Sequence, residues 1–499
     1  AYNVAIGHVA LGAEDAHGRN VAIGYAALQN QDAGADAYNT AIGFYAGKNI
    51  STGIKNTLIG GNAGDALTIG NFNVALGYHA LTTSVDGDAN VAIGYEALGV
   101  YEDGDGNGHN TAVGFQSQTG ATTGEFNTSL GSLSMGTGAA SGDHNVAVGY
   151  YAGNAISTGN ENVLIGAQAG DALTTGTRNT ALGHGALSTE DAHGRNVAVG
   201  NRALQTLNAG AEGNNTVVGY YAGQAMTTAI RSTLVGGQAG GTITTGSDNV
   251  ALGYASLLAN TIGNTNVALG TQSMLTNVAA DRNVAVGYQS LYSMTSPTTL
   301  DTYNVAVGYY AGRNITSGVH NTIVGGLAGD AITVGAYNIA IGSYALSTED
   351  GHGRNVAIGY SSLLNLNAGA DAYNVAIGHD AGKAMTTGVN NTLIGGQTGD
   401  ALTTGGYNTA VGYQALTTED GNGGNTAIGY NALFTQNAGF DAYNVAVGFI
   451  AGFALTTGTH NTLIGSLAGD SLTTGYYNTA IGYGALQTEN AHGRNTAIG

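Results

Sequence analysis

The chain is 499 residues long, with 85 glycines, one proline (Pro297), no cysteine, and 32 acidic against 12 basic side chains for a net charge of −20. Glycine at this density excludes long helices, and the missing cysteine excludes disulfide scaffolds, thiolate metal sites and cysteine catalysis. The acidic balance argues against a phosphate-binding surface, so no nucleic acid or anionic membrane partner is expected; no apolar run approaches the ~20 residues that cross a bilayer, so no membrane insertion by this segment is expected.

The first element is a short strand at Asn3–Gly7, which reads Asn-Val-Ala-Ile-Gly. The same pentapeptide or a close variant recurs 29 times, most often every 17 residues, and last at Asn495–Gly499. A unit this short cannot bury a core alone, so neighbouring units must stack on it. The prediction is an all-β fold: a parallel β-solenoid, or β-roll, of about 29 coils of 17–21 residues each. The pattern runs without a break in composition, which predicts one continuous repeat domain over residues 1–499. Stacked at ~4.8 Å, the coils would make a rod of about 140 Å. The chain opens two residues before a repeat and closes on the Gly of another, as a segment of a longer array would.

Numbered from its Asn, each unit has Val or Thr at position 2, usually Ala at position 3, and Ile, Val or Leu at position 4. That alternation reads as a strand. The β-branched residues are expected inside, as with Val4 and Ile6, and the Ala outside, as with Ala5. Gly at position 5 (Gly7, Gly24, Gly359, Gly499) suits a corner with positive φ or close backbone approach. Asn at position 1 (Asn3, Asn20, Asn355, Asn495) suits a turn, and stacking would align these amides into a ladder. Ser232 is the exception to Asn.

Further along, a second inward anchor falls at one of two places. Leu stands at position 9 in one class (Leu11, Leu28, Leu81, Leu98, Leu187, Leu346, Leu416). In the other, Gly takes that place and the apolar residue moves to position 12 (Leu67, Ile156, Leu173, Met226, Ile332, Met385, Leu455, Leu472). Spacings of 17, 17, 17 and 19 also build a 70-residue super-repeat, clearest at Asn304, Asn374 and Asn444. One of its coils carries a bulky residue at position 3, as in Asn-Thr-Leu-Ile-Gly at Asn56, Asn391 and Asn461, and that residue is expected to point outward. The longest unit follows Asn283 and holds Pro297, so a loop is expected to bulge there. A row of small apolar residues along a rod suggests burial against another chain, so self-association is expected.

These Asn-Val-Ala-Ile-Gly units resemble the head repeats of YadA-like trimeric autotransporter adhesins. Longer versions, such as Asn355–Leu363, are similar to repeats of phage tail-fibre and bacterial surface-fibre proteins. The resemblance implies a left-handed parallel β-roll, three chains around one axis and an extracellular place. It departs from that family in its longer period and in showing no heptad stalk, neck or anchor barrel.

The most site-like motif is Glu-Asp-Ala-His-Gly-Arg-Asn at Glu14–Asn20 and Glu190–Asn196, with relatives at Glu349–Asn355, Glu419–Asn425 and Glu489–Asn495. The Glu419 version lacks both His and Arg, which argues against five copies of a fixed catalytic or metal site. A solvated corner with a local Arg–carboxylate pair is expected instead. Asp103, Asp105 and Asn107 have the spacing of half a calcium loop, but the distal Glu is missing, so a polar turn is preferred over calcium. Tyr follows the motif Gly repeatedly (Tyr25, Tyr78, Tyr95, Tyr150) and would either stack on glycan rings or pack along the rod. No nucleophile elbow, phosphate loop or zinc motif appears. The sequence therefore points to a non-enzyme without cofactors. It is expected to be an extracellular fibre segment, trimeric or filamentous, that attaches to a host-surface glycan or protein. A purely structural self-assembling filament is the alternative. An ice-binding solenoid fits less well, because Thr-Thr-Gly occurs in only part of the coils. An enzyme on polysaccharide would need a carboxylate pair in a groove, and no unique pair stands out.

Overall fold

The computed structural model describes residues 2–14, 17–102, 108–296 and 298–499. Asp103, Asp105, Asn107 and Pro297 lie outside them. The chain divides into two compact units, Ala1–Asn249 and Val250–Gly499. Each is a parallel β-solenoid. The first stacks three-residue strands from Val4–Ile6 to Thr233–Val235, and the second from Val250–Leu252 to Thr496–Ile498. No described residue is helical.

Pairing is in register, so like positions stack on like. Val4, Ala5 and Ile6 oppose Val21, Ala22 and Ile23, and Val375, Ala376 and Ile377 oppose Thr392, Leu393 and Ile394. Between strands the chain turns through left-handed corners that non-glycine residues occupy, such as Leu28 (φ 46°), Tyr38 (φ 57°) and Tyr45 (φ 56°). Each such residue costs roughly 1–2 kcal/mol of backbone strain. Those at Leu28 and Tyr45 persist because their N–H groups also pair between coils: Leu28 donates to Ala46 O at 3.1 Å and Tyr45 to Tyr25 O at 3.0 Å. Beside the main ladder in the second unit, Ala280–Asp281 pairs with Leu300–Asp301 of the longest coil.

The strand faces are the reverse of the sequence expectation. The position-3 residue points in: Ala22, Ala41, Ala75 and Ala92 have no exposed surface, while Val21 and Ile23 beside Ala22 are half-exposed. Alternation fixes that residues 2 and 4 share a face but not which face it is. A coil of 17 residues encloses little volume, and Ala leaves room for the larger anchors at positions 9 and 12. Those anchors are buried, from Leu28 and Leu81 to Leu67 and Leu173.

The bulky position-3 residue is likewise inward, and its neighbours explain how it fits. Leu58 is fully buried, and a Cβ added at Gly47 or Gly64 would lie 2.7 or 2.9 Å from its methyl groups. Both glycines hold position 9, where other coils carry Leu. One inward Leu thus fills the space that two coils have given up. The same exchange joins Leu164 to Gly153 and Gly170, and Leu393 to Gly382 and Gly399.

Candidate functional site: an uncharged strand face and a buried-carboxylate corner

Two features stand out as candidates, and both follow from the coil geometry. The first is the outward strand face. Positions 2 and 4 form two parallel rows, and every residue in them is Val, Ile, Leu or Thr. Many are openly exposed: Leu130 by 49%, Leu252 by 50% and Leu182 by 44%. No charged side chain interrupts either row in either unit.

Aromatic ladders border this face. After the corner Gly, His8, Tyr25 and Phe44 stack with centroids 5.3 and 5.4 Å apart, and Tyr413, Tyr430 and Phe449 at 5.7 and 5.3 Å. Before the Asn, Tyr303, His320 and Tyr337 stack at 5.3 and 5.0 Å. A ring inside such a stack has both faces covered by its neighbours. It offers water an edge and a hydroxyl, and it offers a sugar no free face to lie on.

The strand's flanking residues hold the coils together. The corner at Gly24 has φ 137°, and a Cβ there would strike the carbonyl of Gly43; Gly7, Gly359 and Gly499 occupy the same corner at 137°, 133° and 147°. The Asn ladder is mostly side chain to backbone. Asn20 Oδ1 accepts the N–H of Asn39 at 2.9 Å, and Asn39 Oδ1 that of Asn56 at 2.8 Å. Asn56 Nδ2 reaches its own coil's Gly70 carbonyl at 2.9 Å. Asn3, Asn355 and Asn495 join the same chain of bonds, accepting or donating at 2.9–3.2 Å. Ser232 substitutes by accepting from Asn249 N–H at 3.3 Å.

The second feature is the Glu-Asp-x-His corner. Its Glu falls at position 12, the core anchor place. Glu190 lies in register with Leu173 and Leu207 of the adjacent coils, and Glu190, Glu349 and Glu419 have no exposed surface. The expected solvated corner is therefore corrected: the motif's first carboxylate is core. Backbone N–H groups satisfy it in part, since Glu190 accepts from His193 at 3.1 Å and from Ala209 at 3.2 Å. Burial pushes the Glu190 and Glu349 carboxyls up, and that of Glu419 up to about 7. The Arg pair is not local either. Arg19 binds Asp36 at 2.8 Å and Arg354 binds Asp371 at 2.9 Å, each in the next coil and half-exposed, so each contributes only ~0–1 kcal/mol. Burial of Glu was not legible in the motif. The signal that could have found it is the position count, because Glu190 sits where Leu173 and Leu207 anchor their coils.

Fold and surfaces together define a parallel β-solenoid repeat protein. No protein-family model matches the chain, and a search of curated proteins finds no match.

Proposed function

We propose that this chain is a segment of a non-enzymatic extracellular fibre whose copies associate through the outward strand face, as a homotrimer, and that the fibre serves attachment to a host-surface glycan or protein. The observation that carries the reading is the complete absence of charge from that face in a chain of net charge −20. Side chains pointing into water tolerate Lys, Glu or Asp, yet 29 strands carry none at positions 2 and 4. Rows of half-exposed Val, Thr, Ile and Leu over one unit amount to roughly 1,000 Å², beyond the few hundred Å² that monomers usually expose and the size of a specific interface. The partner is a second copy of the chain because a face without charge lets two chains of net charge −20 meet there without like-charge contacts. The resemblance to trimeric adhesin heads supports the same stoichiometry and the extracellular place. The non-enzymatic reading rests on the corner motif, whose His and Arg are lost at Glu419–Asn425.

The absence of cysteine allows a direct test. Ile358→Cys, on the outward row, should give disulfide-linked chain pairs under mild oxidation, whereas Thr404→Cys, at an exposed corner away from that face, should not. Equal cross-linking of both, or none at Ile358→Cys, would remove this face from the interface.

A further inference from the structure

We propose that the corner loops Glu190–Asp191–His193 and Glu349–Asp350–His352 each bind one divalent transition-metal cation, of the class of zinc. In each loop two carboxylates and an imidazole offer ligand atoms that all lie within 4.8 Å of one another. A mixed set of imidazole nitrogen and carboxylate oxygen suits zinc and its neighbours rather than the all-oxygen ions calcium and magnesium. Two donors on one tetrahedral zinc, each ~2.0–2.1 Å from it, stand about 3.3 Å apart. The imidazole Nδ1 stands 3.5 Å from the carboxylate of Glu190 in the first loop and 3.8 Å from that of Glu349 in the second. Those separations are too long for a hydrogen bond and near the spacing that a shared ion would set.

An independent observation points to a ligand. In both loops that Nδ1 is shut off from solvent and has no hydrogen-bond partner among the described residues, and His17 repeats the condition in a third copy of the motif. Glu419 Oε2 of the loop without His and Glu349 Oε2 share this state, so the imidazole nitrogen and not the Glu oxygen sets the His loops apart. Buried polar atoms left without a partner are costly, and their recurrence at one place in the motif calls for an occupant. The backbone already clamps the chelate, because the N–H of His193 and that of His352 each donate to Oε1 of the loop's own Glu at 3.1 Å.

The chain contains its own metal-free counterpart. At Glu419–Asp420–Asn422, Asn422 takes the place of His, and its Nδ2 donates to Glu419 Oε1 at 3.1 Å. A side-chain amide nitrogen is a donor and not a metal ligand. That loop closes by a hydrogen bond, while the two His loops hold the same atoms further apart. The corner thus folds without an ion, and His is what adds the ligand.

The test uses the full, untagged chain, stripped with a chelator and titrated with zinc chloride alone at pH 7.5, with retained zinc counted by elemental analysis after gel filtration. His193→Asn and His352→Asn should each remove one equivalent, and the double variant two. Melting without zinc should not change, because each variant reproduces the Glu419–Asn422 pairing. Cobalt should give visible ligand-field bands on the wild type that weaken with each His→Asn change and are weakest in the double variant. The proposal is overturned if the double variant retains as much zinc as the wild type, or if the wild type retains none and responds only to protonation of His. Should the Asn variants fold poorly, Asp191→Asn and Asp350→Asn, whose side chains reach the surface, give a second reading: at least tenfold weaker zinc binding is expected, and unchanged affinity overturns the assignment.

Discussion

The exchange of one inward Leu for two glycines makes a quantitative prediction about Leu58. Its side chain is fully buried and fills the space left by Gly47 and Gly64. Leu58→Ala removes three carbons that nothing else can replace, since position 9 is Gly both in its own coil (Gly64) and in the coil before it (Gly47). The cost should be about 3 kcal/mol, the lost transfer energy plus an unfilled cavity. Gly64→Leu alone should also destabilise, by about 1–3 kcal/mol, because a Cβ at residue 64 would lie 2.9 Å from a Leu58 methyl. The two together should be less damaging than Leu58→Ala alone. They recreate the ordinary coil, with Ala at position 3 and Leu at position 9, and Leu81 already adopts the required backbone there at φ 53°. Long repeat arrays need not unfold in one step, so the measurement should be local. Hydrogen exchange on the strands Thr40–Ile42, Thr57–Ile59 and Val74–Leu76 should accelerate about a hundredfold in Leu58→Ala, since about 1.4 kcal/mol is tenfold, and should recover in the double variant. Simple additivity of the two effects would refute the reasoning, because it would mean that Leu58 and residue 64 do not share one space.

Two further predictions concern the buried polar rows. Asn391→Ala should cost about 3 kcal/mol, because the side chain accepts from Asn408 N–H at 3.0 Å and donates to Gly405 O at 2.9 Å, and its loss strands both buried groups; Asn391→Ser should cost less, as the natural Ser232 accepts the equivalent N–H, and thermal melts of the two variants compare them. Glu419, with its carboxyl pushed up to about 7 from an unfolded value of 4.5, gives stability that is full below about pH 4.5, falls as pH rises to about 7, and is flat above. The amplitude is at most about 3 kcal/mol. Glu419→Gln, which copies the buried Gln436 of the next coil, should melt above the wild type at pH 8 and level with it near pH 4.5; a difference that does not change with pH would contradict the burial argument.

The period, the parallel stacking and the corner roles of Asn and Gly were legible because each rests on a repeated local constraint. Gly24 cannot carry a Cβ, and Asn39 must accept from the coil above, so both recur. The phase of the strand was not legible. Val21 and Ile23 look like core by hydrophobicity, but the narrow coil admits Ala22 instead and leaves the larger pair outside. That error also reversed the reading of Leu58, which is bulky because it replaces two anchors inside the coil. The left-handed corners at Leu28 and Tyr45 left no composition signal, since inter-coil hydrogen bonds rather than residue type hold them. Glu190 was misplaced because a charged residue reads as surface, although its position in the repeat is that of Leu173. The aromatic rows were visible as a recurrence of Tyr, but only the coil spacing turns them into ladders with covered faces.

The central claim is that the uncharged strand face is buried between copies of this chain. Its most direct test is the solution mass of the chain by light scattering across a range of concentrations. The account predicts a discrete mass three times the chain's 49.7 kDa, reduced to one chain by Ile341→Asp on the outward row. A wild-type mass of 49.7 kDa at every concentration would contradict it. A mass that grows without limit would keep the face as an interface but replace the closed trimer with an open filament.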